Sequence, residues 1–165
     1  MKKSAQVTDS AKKIGFKTGE EIKGHLGVIE RWSTNFKTTR IEDAAVINRG
    51  YPEPPYLAGS KVVEFETTAA ESFVRVHGPN NQARNWIMRS SDIEGLTGAQ
   101  IAQKFNIPEV PTMISRADIP SGTKIRTGVV GPNAFGGSQG AIQYELRMPN
   151  DSFVPSEWFT KIGDL

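Results

Sequence analysis

The stretch Gly128–Val129–Val130–Gly131–Pro132–Asn133–Ala134–Phe135–Gly136–Gly137–Ser138–Gln139–Gly140–Ala141–Ile142–Gln143–Tyr144–Glu145–Leu146 couples a glycine-rich loop carrying one Phe to an alternating strand. Glycine lets backbone approach a ligand closely, and a strand sends residues i and i+2 to one face. Gln143 and Glu145 therefore stand side by side, an amide next to a carboxylate. Such a stretch builds either a ligand site or a plain hairpin.

Upstream, the same texture recurs. Segments 61–67, 72–77, 85–88, 112–116, 124–130 and 141–148 are short, rich in β-branched or aromatic residues, and bounded by Gly, Pro, Asn or Ser. One amphipathic helix interrupts them, capped by Thr97, running through Ile101, Ala102 and Phe105, and followed by Pro108. Pro120-Ser121-Gly122 is a turn, and Lys124 and Arg126 beyond it share one strand face, which is either solvated or attracts phosphate.

The seam Gly50–Tyr51–Pro52–Glu53–Pro54–Pro55–Tyr56 predicts an extended connector, because proline fixes φ and removes a donor. Before it, Ile22, Leu26, Ile29 and Trp32 are spaced for one face of a helix over 18–32, and Ile41, Ala44, Ala45 and Ile47 for a shorter one over 40–48. The fold class expected is α+β, with N-terminal helices followed by a curved, mostly antiparallel sheet and helices against one face. Residues 1–50 are expected to be a helical appendage for translocation or docking, and 51–165 a catalytic domain.

Composition narrows the chemistry. The chain of 165 residues has no cysteine and two histidines, His25 and His77, which excludes a disulfide framework and a thiolate zinc site and makes a metal-free mechanism the default. The opening Met-Lys-Lys is not followed by an apolar stretch, and no membrane span is expected. Net charge is +2, with ten Lys/Arg against six Asp/Glu in residues 1–50 and ten against twelve beyond, so the N-terminal part is mildly basic.

Five positions in the strand region are candidates. Arg75, between apolar neighbours, either snorkels to solvent or grips an anionic ligand with its planar fork. His77 is a structural histidine or a general acid–base. Trp86 is core or a stacking wall. Ser90 and Ser91, before Asp92, form a turn or donate to a ligand, and lack the Gly-x-Ser-x-Gly elbow that would activate one.

From Tyr51 to about Leu146 the order of these landmarks resembles the C-terminal toxin domains of bacterial polymorphic toxins of the filamentous-haemagglutinin and contact-dependent growth inhibition kind. The landmarks are the Tyr51–Tyr56 seam, Phe73–Val74–Arg75–Val76, Trp86–Ile87–Met88–Arg89, Lys104 to Pro108, Ile119 to Thr123, and Phe135–Gly136–Gly137 through Gln143–Tyr144–Glu145–Leu146. The closing Phe, glycine-rich loop and strand Gln are similar to the tuberculosis necrotizing toxin family of NAD glycohydrolases. The order arginine, serine, Gln-x-Glu is similar to the arginine–serine–glutamate class of ADP-ribosyltransferases.

The resemblance implies an ADP-ribosyltransferase-like fold and a domain that consumes NAD as substrate, with no bound cofactor. It implies Arg75, His77, Gln143 and Glu145 as catalytic residues, and Trp86, Arg89, Ser90, Phe135 and Gly136 as residues that hold NAD. It further implies secretion within a larger exported protein, action in the cytoplasm of a target bacterium, and neutralisation by a cognate immunity protein. The alternatives are a metal-independent toxin ribonuclease cleaving tRNA or rRNA with His77, Arg75 and Lys124 or Arg126, and a non-enzymatic binding module.

Overall fold

A computed structural model describes residues 36–131 and 141–165. The predicted helix over 18–32 and the loop residues Phe135 and Gly136 lie outside the described residues.

Eight strands form two antiparallel sheets. β1 (Phe36–Asp43), β2 (Lys61–Thr67), β4 (Trp86–Ile87), β6 (Lys124–Val129) and β7 (Ile142–Arg147) make a five-stranded sheet in the order β1-β2-β6-β7-β4. β3 (Glu71–His77), β5 (Met113–Ile119) and β8 (Phe159–Asp164) make a three-stranded sheet in the order β3-β5-β8. The architecture is thus sheet-rich α+β, built from two sheets where the sequence suggested one. A bridge between Val74 and Met88 joins β3 to the end of β4.

The main core lies between the sheets. Phe65, Ile87, Ile125, Tyr144 and Leu146 from the larger one form a single buried cluster with Phe73, Ala117, Ile119 and Phe159 from the smaller. Each fully buried side chain of this size contributes roughly 1.5–3 kcal/mol of transfer free energy. The opposite face of β3, through Val74 and Val76, packs with Ile101 and Phe105 of the helix α2 (Gly98–Phe105). α2 starts as its sequence dictates: Thr97 Oγ1 accepts from Gln100 N at 3.2 Å, and Gln100 Oε1 accepts from Thr97 N at 2.9 Å. It ends on Asn106, whose φ of 61° is the left-handed conformation asparagine tolerates.

One predicted element is corrected. Residues 40–43, expected to open a helix, belong to β1, and only α1 (Ala44–Asn48) is helical. The apolar spacing misled because Ile41 is half exposed on an edge strand while Ala44 and Ile47 are buried. Thr38 and Thr39 favour the strand, and pairing from Phe36↔Thr67 to Asp43↔Lys61 outweighs the helical spacing. The sheet therefore begins upstream of the boundary expected at residue 50. β8 has no counterpart among the predicted strands: apart from Phe159 its residues are exposed or half-buried, so no apolar alternation announces it.

The seam is irregular, as its prolines require, and it is anchored. Asn48 clamps Tyr56 at two points, Nδ2 donating to its carbonyl at 2.9 Å and Oδ1 accepting from its N–H at 3.1 Å. Tyr56 pairs with Val130, and Pro55 O accepts from Gly131 N at 3.1 Å. The segment lies over the second face of the five-stranded sheet, where Ala44, Ile47, Tyr56 and Val62 cluster with Tyr51 and Trp86. No described helix is long and apolar enough to cross a membrane.

Candidate functional site

The register of β6 on β7 sets out the outer face of the larger sheet. Gly128 opposes Gln143, Arg126 opposes Glu145, and Lys124 opposes Arg147. Trp86 on β4 opposes Glu145 from the other side. Strand alternation puts all seven side-chain positions on one face.

At one end of this face opens a cleft of about 430 Å³, lined among others by Tyr51, Arg75, His77, Trp86, Asn106 and Gln143. That volume falls within the usual range for small-molecule sites. Four of the predicted residues, Arg75, His77, Trp86 and Gln143, therefore share one cavity. Arg89 and Ser90 are not among its lining residues: Arg89 pairs with Asp92 at 3.6 Å, and Ser90 opens the 3₁₀ turn Ser90–Asp92.

Arg75 reaches the cleft with three of its five N–H donors already engaged. Its Nε donates to Gln82 O at 2.8 Å, one terminal nitrogen to Trp86 O at 2.7 Å and the other to Asn81 O at 3.0 Å. Burial, and secondarily the charge of Arg84, pulls its pKa down to about 10, so it stays charged at neutral pH. The guanidinium braces the 81–86 backbone and fixes the Trp86 carbonyl, so most of its donors serve positioning.

His77 is similarly engaged. Nδ1 lies 2.6 Å from Gly78 O, and Nε2 lies 2.7 Å from Ser115 Oγ. A carbonyl only accepts, so Nδ1 carries the proton and Nε2 accepts from the Ser115 hydroxyl, which in turn accepts from Gln82 Nε2 at 3.0 Å. Ser115 is fully buried and His77 is 4 % exposed. Gln143 donates from Nε2 to Pro55 O at 2.9 Å, which fixes the amide plane.

Glu145 is not among the residues lining the cleft; it lies beneath Tyr51, 4 % exposed. Its Oε1 accepts from the Tyr56 hydroxyl at 3.0 Å and from Arg126 at 3.4 Å, and its Oε2 from Arg147 at 3.3 Å and from the Tyr51 hydroxyl. Tyr51 in turn accepts from Arg126 at 3.0 Å and Arg147 at 3.3 Å. Arg126 is also paired to Glu64 at 2.8 Å. Burial pushes Tyr51 and Tyr56 well above the ordinary phenol range, reinforced for both by Glu145, so both keep their protons. For Arg126 burial acts downward, but the hydrogen bond to Glu64 and the charge of Glu145 outweigh it, and its pKa is raised.

Tyr51, Tyr56, Glu64, Arg147 and Ser115 were not among the residues singled out from sequence. For Arg147 a signal existed: Gln143, Glu145 and Arg147 alternate on one strand, with Lys124 and Arg126 on another. Glycine makes the arrangement possible, since a Cβ on Gly128 would lie 2.8 Å from Tyr56 Cδ1. Among the described residues no cluster of His, Cys, Asp or Glu is grouped to hold a metal. Comparison with protein-family models, curated proteins and solved structures finds no match for the chain.

Proposed function

We propose that this chain is a NAD-consuming toxin domain, acting as a glycohydrolase. The observation that carries the reading is the shared cleft of about 430 Å³, in which Tyr51, Trp86 and Gln143 meet. Tyr51 and Trp86, with ring centroids 6.4 Å apart, form an aromatic wall for nicotinamide. The Gln143 amide oxygen accepts from a ribose hydroxyl. Cleavage breaks the bond between nicotinamide nitrogen and ribose C1′, the electron pair leaving with nicotinamide; water attacks C1′ and loses its proton to solvent. The positive charge that develops on the ribose is met by the carboxylates that line the cleft, Glu53 and Glu109.

Glu145 acts through its neighbour: it fixes the Tyr51 hydroxyl and with it the cleft wall. Delivery within a larger exported protein and neutralisation by an immunity protein rest on the resemblance alone. The ribonuclease reading is less favoured, because both ring nitrogens of His77 are engaged, and the cation lining the cleft, Arg75, is bound to three carbonyls.

Incubating the purified chain with NAD and following free nicotinamide, alongside total tRNA on a gel, tests this. Nicotinamide release with intact tRNA is expected, reduced at least tenfold by Gln143→Ala in a variant that keeps its melting temperature. Intact NAD with cleaved tRNA refutes the proposal.

A further inference from the structure

A second groove, about 660 Å³, opens beyond the Glu145 cluster and is lined by four cations, Arg40, Lys124, Arg126 and Arg147, against two carboxylates, Glu64 and Asp151. Arg126 is taken up by Glu64 and Glu145, and Arg40 by Glu42 at 2.9 Å. Lys124 is exposed and makes no ion pair among the described residues. It stands directly across from Arg147, whose side chain is 36 % exposed and whose carboxylate partners are Glu145 at 3.3 Å and, more loosely, the exposed Asp151 at 3.9 Å.

Like charges directly opposite each other on neighbouring strands repel. An anion between Lys124 and Arg147 relieves that repulsion, and the arginine fork matches phosphate oxygens. The first cleft is a poorer grip, since Arg75 gives three of its five donors to backbone and the carboxylates Glu53 and Glu109 also line it. Cleft and groove lie in line: Gln143 lines the first, Arg147 the second, and Glu145 stands between them on the same strand face. Four residues of strand separate Gln143 from Arg147 by roughly 13 Å. A ribose–diphosphate unit and an arginine side chain together bridge such a gap.

We propose that Lys124 and Arg147 form the diphosphate subsite for the dinucleotide whose nicotinamide end occupies the cleft. The assignment to a dinucleotide rests on the glycohydrolase reading; the phosphate site itself does not. It supplies the anion grip that the sequence offered as one of two readings of Arg75.

Calorimetric titration of the full chain with inorganic pyrophosphate tests the site without relying on turnover. Binding that weakens with salt, and at least tenfold in Lys124→Ala combined with Arg147→Ala, is expected. Lys124→Ala alone, at an exposed side chain, serves if the double variant fails to fold, and Arg147→Lys should restore part of the affinity lost in Arg147→Ala. With NAD, Lys124→Ala should raise KM severalfold more than it lowers kcat. No pyrophosphate binding, or binding unchanged in these variants, overturns the site. Pyrophosphate binding through Lys124 and Arg147 without nicotinamide release, accompanied by binding of a short single-stranded RNA that the same variants abolish, keeps a phosphate site but overturns the dinucleotide.

Discussion

Replacing Glu145 by Gln removes a negative charge while keeping size and shape. The carboxylate is 4 % exposed and accepts from two phenols and two guanidinium groups. Gln retains one acceptor oxygen and turns an NH₂ toward groups that are themselves donors. Removing one partner of a buried ion pair costs about 3–5 kcal/mol. The lower end applies here, because Arg126 keeps Glu64 at 2.8 Å and Arg147, 36 % exposed in its side chain, can turn to water. A loss of about 3 kcal/mol is a large share of the roughly 5–15 kcal/mol that holds a domain together. With a urea slope of about 2 kcal/mol/M, the midpoint falls by about 1.5 M. Trp86, 5.9 Å from the Tyr56 ring, serves as the fluorescence reporter. A cycle with Tyr56→Phe should show a coupling of about 0.5–3 kcal/mol. A loss below about 1 kcal/mol at unchanged slope, or strict additivity, refutes the view that this cluster organises the sheet face.

Arg75→Met should cost about 3 kcal/mol by stranding the carbonyls of Asn81, Gln82 and Trp86, lowering the melting temperature by about 6–12 °C; a change under about 2 °C would show that the carbonyls find other donors. Stability should also fall at alkaline pH. Tyr51 and Tyr56 have folded pKa values raised above the ordinary 10.0, so the native state holds protons the unfolded chain releases, and the stabilisation present below pH 10 is lost above it. Each such phenol contributes up to about 1.4 kcal/mol per pH unit, so Tyr56→Phe should flatten stability against pH above 10, and an unchanged slope in urea titrations counts against it. Gly128→Ala places a Cβ 2.8 Å from Tyr56 Cδ1, and because Tyr56 is 1 % exposed it has nowhere to move: a cost of about 1–3 kcal/mol is expected, and a neutral result in urea melts shows that the ring is looser than this contact requires.

What the sequence disclosed was local. β2 runs Lys61–Thr67, the predicted bounds, because its alternation of apolar and polar residues is a property of those seven positions alone. The cap of α2 was equally readable, since both hydrogen bonds of its capping box lie three residues apart. β1 was misread where an exposed Ile41 mimicked a helical face, and β8 was silent because an edge strand needs little apolar alternation.

The site divides along the same line. That Gln143 and Glu145 share a face follows from strand geometry, and so does the place of Arg147 two residues on. The partners of Glu145 do not follow, because Tyr51 and Tyr56 arrive from 94 and 89 residues away. Nor does the fate of Arg75: its acceptors are main-chain carbonyls, which every residue carries and no side chain advertises. An arginine in a strand thus looks the same whether it braces backbone or grips phosphate, and only the count of acceptors around it separates the two. By that count Arg126 is spent on Glu64 and Glu145, Arg75 has three of its five donors on backbone, Arg147 reaches Glu145 and Asp151 but is 36 % exposed in its side chain, and Lys124 makes no ion pair among the described residues. The chemistry of the face therefore runs from an aromatic cleft with an amide, past a carboxylate locked by two phenols, to two cations facing each other across neighbouring strands, the order in which the proposed dinucleotide would meet them.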